Sequence, residues 1–211
     1  MAEKSALRAA LMLNLVMVAL EIAGAVMSWR QLGVWMFQYY SQYSKLLALA
    51  ACALLAVFQL RALRTGAAIP VWAQRLKYAA VCCLSVTFLV VVLVLAPMSG
   101  GAYGLMLFEG TMLYHHLLCP LAAFFGFMLF EKRPALRRVD ALLPAVLTFL
   151  YAAVLTALNI ARVVDGPYPF LRVYAQSVPV SVLWALVMLG GAETLSWGLY
   201  ALHSRRARKN G

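Results

Sequence analysis

The sequence predicts an all-α fold: a polytopic membrane bundle of about six transmembrane helices, with the N and C termini both cytoplasmic. Three observations predict it. Only 12% of the chain is charged, about half of the roughly 25% usual in a soluble domain. Six stretches are each apolar over about the 20 residues that a helix needs to cross the hydrocarbon core. The Lys and Arg residues gather between those stretches, where loops belong.

The first predicted span, 7–28, follows the start MAEKSALR. Its apolar run from Leu7 to Met27 outlasts the roughly 7–15 residues of a signal-peptide core, so it reads as a retained helix. The second, 34–60, opens in a polar-aromatic stretch. The third, 78–98, is built of Val, Leu, Ala and Cys, and is nearly featureless. The turn SGGAYG leads into the fourth, 104–130. The fifth is 141–162 and the sixth 178–202. Between the last two lies DGPYPFLRVYAQS, whose prolines and aromatic rings suit a packed interfacial cap. All 211 residues are read as one transmembrane domain, with no soluble domain.

Orientation follows from the cations. The N-terminus, the second and fourth loops and the tail together hold fourteen Lys and Arg: Lys4, Arg8, Arg61, Arg64, Arg75, Lys77, Lys132, Arg133, Arg137, Arg138, Arg205, Arg206, Arg208 and Lys209. The alternate side holds three, Arg30, Arg162 and Arg172, while Lys45 lies within a span. Cations favour the cytoplasmic side, so both termini are expected there.

The net charge of +11 does not indicate nucleic acid, because the basic residues form no continuous face with interleaved aromatics. Anionic headgroups are the expected partners of these clusters. The tail HSRRARKNG reads first as a solvated topology signal, with a docking or lipid-binding tail as the alternative. The four cysteines, Cys52, Cys82, Cys83 and Cys119, all lie in apolar spans and read as small buried packing residues. There is no HExxH or CxxC spacing, so no metal or cofactor is expected. Oligomeric state is not encoded in any feature of the chain.

Ionisable groups at membrane depth are costly and mark function or internal pairing. At ~1.5 Å rise per residue, Ser41, Ser44 and Lys45 fall about two to three turns below the outer end of the second span. His115 and His116 fall about three turns down the fourth, with Glu109 about one turn down. Asn159 and Arg162 close the fifth, and Glu21 lies in the outer third of the first. Four helices thus bring polar groups to one level. The bland alternatives are serines bonded to their own helix and a Glu21–Lys45–Glu109 ion network that only fixes packing. The two adjacent histidines diverge by about 100°, so one can face a site while the other bonds a neighbour. Pro120 leaves the carbonyl of His116 without its helical donor, which can kink the helix. Glu193, nearer the inner side, reads as a helix–helix contact or a partner for a nearby cation.

A hydroxyl and an imidazole at equal depth suit nucleophilic chemistry on a carbonyl carbon. Lys45 or Arg162 would supply donors to the oxyanion or to a fatty carboxylate. Glu109 and Asn159 complete the candidate substrate-binding set.

Three stretches carry a family resemblance: FQYYSQYSKLLALAACAL, YHHLLCPLAAFFGFMLFEKRP and LNIARVVDGPYPFLRV. In this order they resemble small bacterial six-helix relatives of the androgen-induced-gene family of intramembrane hydrolases. Members of that family cleave fatty-acid esters of hydroxy fatty acids with a threonine nucleophile and a histidine. The resemblance implies Ser41 as nucleophile. It puts the histidine on His115 or on His116, according to how the spacing to Pro120 is counted. Lys45 departs from the asparagine of the pattern, and Gly126-Phe127 from its acidic-aromatic pair. The expected function is hydrolysis of a lipid ester. The rivals are a transporter or binding protein for a lipid or other small molecule, and a non-catalytic membrane subunit.

Overall fold

Apolarity over a bilayer's thickness dictates helices, because backbone polar groups in hydrocarbon must be satisfied within the segment itself. The computed structural model describes residues 2–131 and 136–209. Among them, six helices are long and apolar enough to cross a membrane, so the chain is a multi-pass membrane protein. They are span 1 (Lys4–Gln38), span 2 (Tyr40–Thr65), span 3 (Val71–Met98), span 4 (Gly110–Leu129), span 5 (Arg138–Ile160) and span 6 (Val178–Ser204). Spans alternate in direction, so N- and C-terminal segments share one end of the bundle, here called the terminal end. Of the cations used for orientation, Lys132 and Arg133 lie outside the described residues.

Span 3 is the central helix. In its apolar window 61% of residues are buried within the protein, against 6% for span 6. This accounts for its featureless sequence: a helix apolar all round is one surrounded by other helices. Small residues allow the approach, with Ala48, Ala51 and Cys52 of span 2 and Ala79, Ala80 and Cys83 of span 3 all buried. Span 6 instead leaves Leu183, Leu186 and Val187 exposed, as a lipid-facing helix does. It is tied down at the terminal end, where the Tyr78 hydroxyl donates to the Ser196 carbonyl at 2.7 Å and the Ser196 hydroxyl donates to the Ala141 carbonyl at 2.7 Å.

Several boundaries differ from the sequence expectation, each for a local reason. Residues Gly33–Gln38 form a 3-10 turn that prolongs span 1, so span 2 begins at Tyr40. Span 3 starts at Val71, just after Pro70, and therefore carries Arg75 and Lys77 within the helix rather than in a loop. Arg75 reaches Asp140 at 2.9 Å, and Lys77 is buried. The stretch expected as one helix over 104–130 is interrupted. A short helix, Tyr103–Phe108, ends where Glu109 turns extended and Gly110 takes φ +52°, a conformation open to glycine. Two wide π turns, Val91–Leu95 and Leu113–Leu118, stand just before Pro97 and Pro120. Proline cannot donate to the carbonyl one turn back, and the widened turn is how each helix absorbs that defect.

Candidate functional site

A polar seam runs along the interface of spans 1 and 2. Asn14, Glu21 and Ser28 recur every seven residues on span 1, and Lys45, Cys52 and Gln59 do so on span 2. Seven residues are almost two turns, so each set forms one stripe facing the neighbouring helix. All six side chains are buried, none more than 2% exposed. The sequence reading found Glu21 and Lys45 but missed the stripe. The sevenfold spacing was the signal that would have found it.

At the terminal end the seam is well satisfied. The Lys77 ammonium donates to Asn14 Oδ1 at 2.8 Å and to Cys52 Sγ at 2.9 Å, and lies 3.7 Å from Glu131 Oε1. Asn14 Nδ2 donates to Gln59 Oε1 at 3.2 Å and to Glu131 Oε1 at 3.1 Å. Burial pushes the Glu131 carboxyl above its ordinary value, against the opposing pull of Lys77 and Asn14.

At the other end of the seam sits His115. Its Nε2 lies 2.6 Å from Ser28 Oγ and 3.5 Å from Lys45 Nζ, while Gln42 Nε2 donates to Ser28 Oγ at 3.2 Å. An ammonium only donates, so Nε2 is best placed as the acceptor for both the hydroxyl and Lys45; the neutral ring then carries its proton on Nδ1. Gly24 makes the arrangement fit, since a Cβ there would come 3.1 Å from His115 Cε1 and 3.5 Å from Nδ1. The ring therefore lies against span 1, with Nε2 at Ser28 and Cε1 and Nδ1 over Gly24.

His116 points elsewhere. Its Nδ1 bonds to the Met106 carbonyl at 2.8 Å, and the ring lines a cavity of about 660 Å³ among spans 3, 5 and 6. Since a carbonyl only accepts, Nδ1 carries the proton and Nε2 keeps a lone pair. The cavity wall is mostly apolar, with polar groups from Tyr40, Thr87, Thr148, Tyr151 and Tyr168. The Tyr40 and Thr148 hydroxyls bond each other at 2.9 Å, and Tyr151 donates to the Gln38 carbonyl.

Among the described residues no hydrogen bond joins Ser41 to either histidine. The buried Ser41 hydroxyl instead meets that of Tyr168, which also accepts from the Tyr40 N–H at 3.1 Å. Burial pushes the Tyr168 phenol up to about 12. Ser44 bonds Thr87 at 3.0 Å.

The remaining candidates stand away from both centres. Asn159 donates to the Val164 carbonyl and accepts from the Val173 N–H, both at 2.9 Å, and so folds the loop between spans 5 and 6 into the packed cap. Arg162 is exposed at φ +58°, 4.7 Å from the Tyr174 ring centroid. Glu109 is exposed at the helix break, and no ion pair joins it to Glu21 or Lys45 among the described residues. Glu193 accepts from the Trp197 indole on its own helix. No group of three His, Cys, Asp or Glu among the described residues has a metal-holding arrangement.

Fold and site define a helical multi-pass membrane protein with a buried polar seam beside an apolar chamber. No family model, curated protein or solved structure matches the chain.

Proposed function

We propose that this protein binds a single lipid-like molecule in the chamber among spans 3, 5 and 6. The carrying observation is the chamber itself: about 660 Å³, apolar over most of its wall, with a few hydroxyls and the His116 imidazole on it. Its size falls in the roughly 300–1,000 Å³ range of ligand pockets. An acyl chain would fill the apolar part, each buried methylene contributing about 0.8 kcal/mol. A headgroup or ester would meet Tyr40, Thr148 and His116. Lipid extracted from the purified protein and quantified by mass spectrometry tests this. Stoichiometric lipid is expected, and its loss in Ala152→Trp, which fills the chamber. Equal lipid in a folded Ala152→Trp protein would reject the chamber as the site.

Hydrolysis of a lipid ester is a second reading, favoured by the 2.6 Å contact between Ser28 and His115. That distance suits proton transfer from a nucleophilic hydroxyl to an imidazole. The resemblance to intramembrane ester hydrolases supports the same chemistry but assigns Ser41. In the hydrolase reading Ser28 attacks the carbonyl carbon, His115 takes its proton and returns it to the leaving alcohol, and Lys45 steadies the oxyanion. Water, deprotonated by His115, then cleaves the acyl-Ser28 ester, releasing the acid and returning the proton to Ser28. A fluorophosphonate probe separates the assignments: Ser28→Ala should abolish labelling and Ser41→Ala should leave it. Labelling lost only in Ser41→Ala would restore the nucleophile that the resemblance implies.

We also propose that the terminal end faces the cytoplasm, on the fourteen-to-three bias of cations, and, from the resemblance, that the membrane is a bacterial inner membrane. A membrane-impermeant maleimide applied to intact cells should label Ser99→Cys and spare Ser204→Cys. The reverse pattern would invert the topology.

A further inference from the structure

The seam contains polar atoms that the protein itself does not satisfy. Both oxygens of Glu21, Nδ1 of His115 and Oε1 of Gln42 are buried without a hydrogen-bond partner. They come from three different helices and are strung along span 1: Glu21 itself, His115 against Gly24, and Gln42 against Ser28. Glu21 is 0% exposed. Lys45 is its principal charged neighbour, yet lies beyond direct ion-pair distance, and the thiol of Cys119 is beside it.

A bare carboxylate in such a place is costly by several kcal/mol. Three arrangements relieve it: a direct ion pair, a bound cation or a bound proton. The geometry gives no direct pair. A cation is disfavoured because Lys45 from span 2, and Lys77 from span 3 further off, already bring positive charge towards Glu21. A proton remains. Protonated, Glu21 is neutral and becomes a donor as well as an acceptor. Further along the same seam, the unpartnered His115 Nδ1 is a donor and Gln42 Oε1 an acceptor.

A route for that proton is present. The antiparallel register that joins Asn14 to Gln59 sets Cys52 across the seam from Glu21; Cys52 Sγ lies 2.9 Å from the Lys77 ammonium, which lies 3.7 Å from Glu131 next to the loop at the terminal end. The groups facing Glu21 from the packed elements are Lys45 and Cys52 of span 2, Lys77 of span 3 and Cys119 of span 4, with His115 of span 4 reached through Lys45.

We infer that Glu21 is a proton-binding site inside the bilayer, exchanging with solvent at the terminal end through the seam of Cys52, Lys77 and Glu131. Binding converts the carboxylate and a solvent proton to the neutral acid, with no other bond made or broken. A charge that comes and goes beside Lys45 and His115 makes the Ser28–His115 contact responsive to pH, whatever the chamber holds.

Infrared spectroscopy of the full chain in lipid vesicles tests this directly. A protonated-carboxyl stretch is expected at neutral pH, where solvent-exposed carboxylates are ionised. It should shift in heavy water, convert to carboxylate as pH rises, and vanish in Glu21→Gln. In Glu21→Asp, which keeps a carboxyl should the glutamine variant not fold, the band should move in frequency. Glu131→Gln should keep the band but slow its deuterium shift. A wild-type spectrum without the band overturns the inference, as does a band unchanged in Glu21→Gln. A band that never shifts in heavy water overturns the route.

Discussion

Gly24→Ala gives the sharpest test of the His115 centre, because two effects of opposite sign compete at one atom. In a helix facing nothing, replacing glycine by alanine stabilises by about 1 kcal/mol. Here the new methyl would lie 3.1 Å from His115 Cε1 and 3.3 Å from Tyr114 Cβ, closer than carbon atoms normally pack. One of them must retreat by a few tenths of an ångström. Tyr114 Cβ is fixed by its backbone, so the imidazole has to move. Ser28 lies one turn along the same face of span 1, and movement away from that helix lengthens the 2.6 Å contact directly.

Overpacking of this kind costs about 1–3 kcal/mol, and losing the hydrogen bond about 0.5–1.5 kcal/mol more. Set against the helical gain, the net is a destabilisation of about 0.5–3.5 kcal/mol. Equilibrium unfolding in mixed micelles measures it. A double-mutant cycle with Ser28→Ala isolates the part carried by the contact, because Gly24→Ala should cost less once Ser28 has no hydroxyl to lose. If Gly24→Ala stabilises the protein by the ordinary helical increment, the ring has room to spare and the close placement of His115 on span 1 is wrong.

Other consequences follow from contacts elsewhere. Asn159→Ala removes both bonds that fold the loop between spans 5 and 6. It should cost about 2 kcal/mol and speed hydrogen exchange at the Val173 amide, with lipid binding reduced because Tyr168 and Phe170 of that loop line the chamber. Arg162→Gly exchanges the left-handed strain of a side chain, about 1 kcal/mol, for a lost cation–π contact of about 0.5–1 kcal/mol. Thermal stability should therefore be nearly unchanged, and so should ligand affinity. A large fall in affinity would return Arg162 to the substrate site. Burial raises the Glu131 carboxyl, so the folded state binds its proton more tightly than the unfolded state does. The stability this contributes is complete below the ordinary carboxylate value and is lost as pH rises through the folded value. Wild-type stability should therefore decline relative to Glu131→Gln across that window. Parallel pH curves would refute the shift.

The number of spans was legible because bilayer thickness sets a length that apolar runs either meet or miss. Depth was legible for the same reason: rise per residue placed Lys45 and His115 near one level, where they meet at 3.5 Å, with Glu21 buried further along the same seam. Direction around each helix was not legible from single residues. Ser41 and Ser28 both lie at plausible depth, yet the hydroxyl that meets His115 belongs to Ser28 of span 1. The choice is made by helix 1–helix 2 packing and by the gap at Gly24, neither of which a motif in span 2 encodes. Lys77 was counted as a loop cation because its partner Glu131 is far off in sequence, and only their meeting makes a buried lysine tolerable. Arg162, a cation at a helix end, resembles a ligand anchor in sequence. Its left-handed backbone and its place on Tyr174 identify a helix terminus instead.

The adjacent histidines tie these strands of reasoning together. Side chains next to each other on a helix diverge by about 100°, so two neighbouring imidazoles necessarily enter different surroundings. Here one enters the seam and the other the chamber, and the π turn ahead of Pro120 carries both. A shift of that turn cannot move one ring alone. If Glu21 gains or loses a proton and His115 adjusts against Ser28 and Lys45, the displacement passes through a single peptide unit to His116 in the chamber wall. The pairing of a buried polar seam with an apolar chamber thus has a physical link built from two consecutive residues. Separating them, by restoring a regular helix with Pro120→Ala, should make pH changes at the seam silent in the chamber while leaving both sites formed. Lipid affinity measured against pH in that variant would be flat where the wild-type profile slopes, and an unchanged slope would show that the two sites do not communicate through this turn.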